Sequence, residues 1–280
     1  MTIESLLKQA YGRLSALSDT AQLDAQLLLA HVLDVSTTYF FTWPDKDVSE
    51  VHQARFEAFL KRRENGEPIA YILGEQDFWS LSLETSPTTL IPRADTERLV
   101  EVALELMPHG ARKLVDLGTG TGAIALALAK EWPAAMVIGV DYQSEAVALA
   151  ERNAVRNGVA NASFCQSNWF SALKDDAPFD LIISNPPYID PEDEHLSQGD
   201  VRFEPLTALI AEEQGLADIR HITEQAKQYL TEQGWLMFEH GYDQGQAVRT
   251  LLQERGFGDV ATYQDLGGND RVTVGRLASY

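Results

Sequence analysis

Asn185-Pro186-Pro187-Tyr188 is the stretch of this 280-residue chain whose residue types point most directly to chemistry. It follows Phe179-Asp180-Leu181-Ile182-Ile183-Ser184, a short apolar run of the kind that forms a buried strand in a parallel sheet. Proline lacks the N–H that a central strand needs, so the strand is predicted to stop here. Open α/β sheets bind ligands just beyond the carboxyl ends of their strands. The prolines leave backbone carbonyls without adjacent donors, Asn185 adds a side-chain carbonyl, and Tyr188 adds a ring. A rigid set of acceptors beside an aromatic ring suits a flat group that carries an NH2.

A second stretch, Leu114-Val115-Asp116-Leu117-Gly118-Thr119-Gly120-Thr121-Gly122, is predicted to join a strand to a helix. Its glycines permit a turn with positive φ and let a ligand approach the backbone closely. Gly118, Gly120 and Ala123 also satisfy the G-x-G-x-x-A dinucleotide fingerprint, and Asp141 falls where a ribose-binding acid belongs. These features specify a nucleoside-containing ligand and leave a nicotinamide enzyme open. Asp116 and the Asn-Pro-Pro-Tyr cluster tip the balance: a carboxylate beside the loop suits an ammonium group and not a pyrophosphate, and a dehydrogenase has no use for the cluster's acceptors. S-adenosylmethionine has the matching parts: ribose hydroxyls for Asp141, an adenine, and a cationic amino-acid tail. Trp169 is placed to stack on or wall that adenine, and Asn168 to accept from its exocyclic amine.

The elements that must position these residues fall into two groups. Ile3, Leu6, Leu7, Ala10 and Leu14 repeat at helical spacing, as do Leu23, Leu27, Leu28 and Val32, with Asp19 the expected cap of the second helix. A third helix is expected from Ser49 to Gly66. Residues 1–74 therefore read as a small helical bundle, and 75–90 as a hairpin linker around the alternating run Phe78 to Glu84. Residues 91–280 read as a doubly wound α/β domain. After a helix from Thr96 to Met107, strands are expected near 113–116, 136–141, 162–166, 179–184, 234–239, 259–264 and 271–276. Helices are expected at 122–130, 144–157, 215–231 and 243–255. Seven strands ending in an antiparallel pair fit a Rossmann-like methyltransferase sheet.

Composition narrows the partners. The net charge is −20, with 7 Lys and Arg against 13 Asp and Glu in residues 1–90, and 15 against 29 in the rest. Neither part is a basic body that tracks phosphates, so a protein or small-molecule partner is expected and direct nucleic-acid binding is not. Lys61-Arg62-Arg63, the compact basic cluster, reads as a solvated helix face as readily as a docking patch. No apolar run reaches the ~18 residues of a membrane span. Met1 to Ser5 lacks a basic start leading into an apolar stretch, so no leader is expected. A single cysteine, Cys165, rules out an internal disulfide and fits a reducing cytosol. A cytoplasmic protein is expected, working as a monomer.

The Asn-Pro-Pro-Tyr cluster together with the Gly118–Gly122 loop resembles the S-adenosylmethionine-dependent amino-methyltransferases. Phe78-Trp79-Ser80-Leu81, Ser86 to Arg93, Asp95-Thr96-Glu97, and Gly199-Asp200-Val201-Arg202-Phe203-Glu204-Pro205-Leu206 narrow the resemblance to the HemK/PrmC family, the glutamine-N5 methyltransferases of peptide-chain release factors. It implies a class I methyltransferase sheet with a small N-terminal helical domain that helps to dock the substrate. It also implies S-adenosylmethionine as cofactor, S-adenosylhomocysteine as product, and the Gln of the Gly-Gly-Gln loop of class 1 release factors as target. Gly118, Thr119, Gly120, Thr121 and Gly122 would wrap the methionine part, Asp141 would hold the ribose, and Trp169 would border the adenine. Asn185, Pro186, Pro187 and Tyr188 would hold the glutamine, with Asn185 also near the cofactor. Two positions depart from the family pattern: Ala94 stands where a second proline is usual, and Asn168 where aspartate is common. A less stiff backbone and weaker cofactor binding are the expected consequences.

The chemistry expected of Asn185, Pro186 and Tyr188 is stabilisation of charge on an attacking amide nitrogen, with water as the final proton acceptor. The acidic run Asp190 to His195 fits no standard metal spacing, and no metal is expected. Glu239-His240-Gly241 is expected at the cleft edge as a polar cluster. Methylation of a base in DNA, nicotinamide-dependent redox chemistry and a non-catalytic nucleoside-binding module are the competing readings.

Overall fold

The computed structural model describes residues 1–278, which divide into two compact units. One comprises Met1–Glu75 with Glu194–Phe203; the other comprises Gln76–Asp193 with the described residues from Glu204 on.

The first unit is built from α1 (Ile3–Leu14), α2 (Ala21–Leu33), the single turn α3 (Tyr39–Thr42), α4 (Glu50–Glu64) and α5 (Ile69–Leu73). Ile3, Leu6, Ala10 and Leu14 form one buried stripe of α1, which packs with Leu28 and Leu29 of α2 and Phe56 and Leu60 of α4. Ser49 caps α4 by accepting from the His52 N–H at 3.3 Å. Asp19 does not cap α2; Thr20 holds that position. Asp24 instead collects the local donors, accepting from the Ser18 and Thr20 hydroxyls at 2.8 and 2.9 Å and from Arg63 Nε at 2.9 Å. Arg63 also reaches Asp200 at 2.8 Å, which ties the segment Glu194–Phe203 to this unit. Arg62 pairs with Glu67 and Lys61 lies 3.9 Å from Glu57. The basic cluster is thus matched by carboxylates and is no free cationic patch.

β1 (Glu75–Phe78), which lies in the second unit from Gln76 on, and β2 (Leu81–Glu84) form a two-stranded hairpin whose turn places Trp79 at φ 57°. A 3-10 turn, Ala94–Thr96, then leads into α6 (Glu97–Leu106). β3 (Lys113–Leu117), α7 (Ala123–Glu131), β4 (Met136–Asp141), α8 (Ser144–Arg156), β5 (Ala162–Gln166) and β6 (Phe179–Ser184) follow in alternation. The single turn α9 (Glu212–Gly215), α10 (Ala217–Ala226), β7 (Leu230–Glu239), α11 (Gly245–Glu254), β8 (Phe257–Gln264) and β9 (Asp270–Leu277) complete the unit. The sheet order is β5-β4-β3-β6-β7-β9-β8, parallel except for β9, which runs antiparallel to both neighbours.

Alternation along each strand feeds two cores. Leu114, Leu181, Ile183 and Met237 face α6 and α7, while Val115, Ile182, Leu236 and Phe238 face α10 and α11. The predicted helix 215–231 is shorter than expected, because β7 starts at Leu230 and not at 234. Gln233 at φ 65° and a register shift between Phe179 and Leu181 absorb the irregularity around Gly234. No helix among the described residues is long and apolar enough to cross a membrane.

Candidate active site

Parallel register puts the ends of β3, β6 and β7 side by side: Leu117 pairs with Ser184, and Ser184 with Phe238. The chain leaves β3 through Gly118-Thr119-Gly120-Thr121-Gly122. Gly120 has φ +54°, and a Cβ there would meet nothing within 4 Å, so this backbone faces open space. Gly118 and Thr119 both donate their N–H to the Val140 carbonyl at 2.9 Å, fastening the loop to β4. The Gly120 N–H then reaches Asp141 Oδ2 at 2.9 Å, and the Gln143 N–H reaches Oδ1 at 3.0 Å. Burial pushes the Asp141 carboxyl up from its usual range, and these backbone donors oppose the shift. Each anchored oxygen retains acceptor capacity for a hydroxyl.

Asp116 lies beneath this loop, fully buried. The Thr119 hydroxyl donates to its Oδ2 at 2.7 Å, while Oδ1 has no hydrogen-bond partner. Burial pushes its pKa up to about 7, against the pull of the Thr119 bond. An unpartnered buried acceptor carries a desolvation cost of about 1–3 kcal/mol, which a bound cation relieves. Asn153 is a buried support that sequence spacing did not single out. It donates to the carbonyls of Thr121 and Glu84 at 2.9 and 3.0 Å, clasping the loop to β2.

A cavity of about 310 Å³ opens above the loop. Gly118, Thr119, Gly120 and Thr121 line it, as do Asp141, Asn168, Trp169, Asn185 and Pro187. Asp116, Gly122, Pro186 and Tyr188 are not among the lining residues. Gly122 faces Ala150 and Leu126, where a Cβ would sit 3.1–3.2 Å from their side chains, so it serves helix packing. Trp169 is held at φ 50° by a turn in which the Ser167 hydroxyl donates to its carbonyl at 2.7 Å. Part of the wall comes from segments to which sequence reasoning gave no site role: Thr88 to Leu90 with Pro92 and Arg93, then Thr207, Ala208 and Asp218. The Pro87 and Pro92 bracket was the available signal for the first of these. Buried Glu204 shapes it, accepting from the Ile91 N–H at 2.9 Å and pairing with Arg93.

At the end of β6, Ser184 donates to the Leu117 carbonyl at 2.6 Å, holding the two strand ends together. Asn185 Nδ2 donates to Thr96 Oγ1 at 3.3 Å. With its NH2 committed to Thr96, Asn185 offers Oδ1 as the acceptor, and the residue lines the cavity. The Tyr188 hydroxyl donates to Glu239 Oε1 at 3.3 Å, and the Tyr188 carbonyl accepts from Gln244 Nε2 at 2.9 Å. Gly215, at φ +80°, packs so closely on that carbonyl that a Cβ would lie 1.9 Å from it. The Asn-Pro-Pro-Tyr corner is therefore held from behind at both ends. Among the described residues, no group of three or more His, Cys, Asp or Glu side chains could hold a metal ion.

The donor set fits S-adenosylmethionine on this geometry: a glycine cradle, an anchored carboxylate at the end of β4, a Trp-bordered wall, and an orphaned buried acceptor under the loop. Residues 108–262 match the family model described as a methyltransferase domain, and residues 5–74 match the PrmC N-terminal domain. A methyltransferase structure from Pyrococcus furiosus shares the fold, with a TM-score of 0.54 at 18% identity over 78% of this chain and 98% of that one. The protein is a class I S-adenosylmethionine-dependent methyltransferase. Relatives named release factor glutamine methyltransferase align with nearly the whole chain. The Aliivibrio fischeri protein is 54% identical over 99% of this chain and 98% of its own, and the Vibrio cholerae protein 56% identical over 99% and 97%. The chain belongs to the release factor glutamine methyltransferase family.

Proposed function

We propose that this enzyme transfers a methyl group from S-adenosylmethionine to the side-chain amide nitrogen of the glutamine in the Gly-Gly-Gln motif of class 1 peptide-chain release factors. The observation that carries the reading is the placement of Asn185: its NH2 is committed to Thr96, and its residue lines the glycine-cradled cavity. The names of the full-length relatives support the choice of substrate.

An amide nitrogen is a poor nucleophile, since its lone pair is shared with the carbonyl; the ~18–20 kcal/mol rotation barrier measures that resonance. When bound, S-adenosylmethionine supplies a methyl on a cationic sulfur. Asn185 Oδ1 and the Pro186 carbonyl accept the two N–H groups of the attacking nitrogen and stabilise its positive charge as it develops. Pro187 and the Tyr188 ring hold the amide plane in line, an alignment worth up to ~7–11 kcal/mol in favourable cases. The methylated nitrogen is strongly acidic, so water suffices as proton acceptor. Gly118 to Thr121, with Asp116 below, would hold the methionine part; Asp141 would hold the ribose; Asn168 and Trp169 would hold the adenine. The N-terminal helical unit docks the release factor, and the enzyme works as a cytoplasmic monomer without nucleic acid or membrane.

The test is incubation with methyl-labelled S-adenosylmethionine and, separately, a class 1 release factor, ribosomal proteins and DNA. Label in the release factor alone is expected. Label in DNA alone overturns the reading.

A further inference from the structure

The register that aligns Ser184 with Phe238 places the next residues of the two strands, Asn185 and Glu239, as neighbours at the cleft end of the sheet. Trp235, Met237 and Glu239 alternate onto the face that carries Leu181 and Ile183. Glu239 therefore points behind the corner formed by Asn185 to Tyr188. Its residue is 1% exposed and is absent from the cavity lining. The Tyr188 hydroxyl donates to Oε1 at 3.3 Å, while Oε2 has no hydrogen-bond partner.

We infer that Glu239 is a positioning residue: one buried carboxylate fixes the Tyr188 ring through its phenol, from behind the corner that faces the substrate amide. Without the carboxylate, the Tyr188 phenol loses its acceptor and the ring loses its fixed position beside the substrate amide. This inference rests on the proposed role of Asn185 and Tyr188.

The experiment compares Glu239→Ala, Glu239→Gln, Tyr188→Phe and Asn185→Ala in the full chain, with release factor as methyl acceptor. Glu239→Ala is expected to lower kcat about 10–100-fold, with S-adenosylmethionine affinity within about threefold of wild type. Glu239→Gln, whose amide oxygen still accepts from Tyr188, is expected to recover most of that loss. The double variant with Tyr188→Phe is expected to lose less than the product of the two single losses, since the two groups act as one. Thermal melts separate unfolding from loss of alignment; if the Ala variant fails to fold, the Gln variant and the Tyr188→Phe cycle carry the test. Wild-type kcat in Glu239→Ala overturns the inference. So does equal loss in the Ala and Gln variants, which would make Glu239 a proton acceptor. Wild-type turnover in Asn185→Ala instead sinks the underlying assignment, so the two failures are distinguishable.

Discussion

Replacing Asn185 with alanine removes the acceptor while leaving the cofactor cradle intact. The cradle is built from Gly118 to Thr121 and from Asp141, each held by bonds that do not involve Asn185. The folded state loses the 3.3 Å bond to Thr96. A neutral bond of this kind is worth about 0.5–1.5 kcal/mol, a fall in Tm of about 1–6 °C for a domain of this size. The transition state loses more. One preorganised dipole removed from developing charge costs about 2.7–4 kcal/mol, or 10²–10³-fold in rate. The assay is single-turnover transfer of labelled methyl to release factor, with S-adenosylmethionine affinity measured separately by calorimetry. The expected pattern is a rate 10²–10³-fold lower with affinity within about threefold, the signature of an interaction realised in the transition state. A rate within about fivefold of wild type, or a loss explained by cofactor affinity, refutes the reasoning.

Asp141→Ala leaves the Gly120 and Gln143 N–H groups without their acceptor and should weaken S-adenosylmethionine binding about 10–150-fold by equilibrium dialysis, since bonds to a charged group are worth about 1.5–3 kcal/mol. Unchanged affinity would remove the ribose assignment. Burial raises the Glu239 carboxyl from 4.5 to about 7, so the native protein holds a proton there that the unfolded chain releases. Stability from this site is therefore highest below about pH 4.5 and declines as pH rises to about 7, by roughly 3 kcal/mol. Burial is the main cause; Thr96, Arg271 and Tyr188 oppose it and Asp95 reinforces it. Glu239→Gln should flatten that slope and melt above wild type at pH 8; an unchanged slope contradicts the burial argument. Gly139→Ala would place a Cβ 2.5 Å from the Phe164 ring and 2.7 Å from Thr119 Oγ1. Overpacking of about 1–3 kcal/mol and weaker cofactor binding should follow as Thr119 is pushed off Asp116, measured by melting and calorimetry.

What the sequence revealed follows from where chemistry concentrates locally. Prolines that end a strand, glycines at its neighbour's turn and an acid closing β4 all advertise themselves within a few residues, and Asn185, Gly120 and Asp141 meet in one cavity. The seven-strand alternation was readable for the same reason, because each strand buries its own apolar run. The wall made by Thr88 to Leu90, Pro92, Arg93, Thr207, Ala208 and Asp218 was not, since its segments are set by tertiary contacts such as Glu204 on the Ile91 N–H. Glu239 registered only as a polar cluster at a strand end; the parallel pairing of β6 with β7 is what sets it beside Asn185. The membership of Glu194–Phe203 in the helical unit was likewise hidden, because it depends on Arg63 meeting Asp200 across 137 residues of chain. The early start of β7 was missed because Gly234 breaks the apolar run that marks a strand, while the positive φ of Gln233 lets pairing continue.

The central claim is that acceptors at the end of β6 direct a methyl group to a carboxamide nitrogen. Fragmentation mass spectrometry of release factor treated with this enzyme and S-adenosylmethionine bearing a deuterated methyl group tests it most directly. The account predicts a single labelled methyl on the side-chain nitrogen of the glutamine in the Gly-Gly-Gln loop, absent with Asn185→Ala. A methyl on another residue type, or on the backbone, would contradict it.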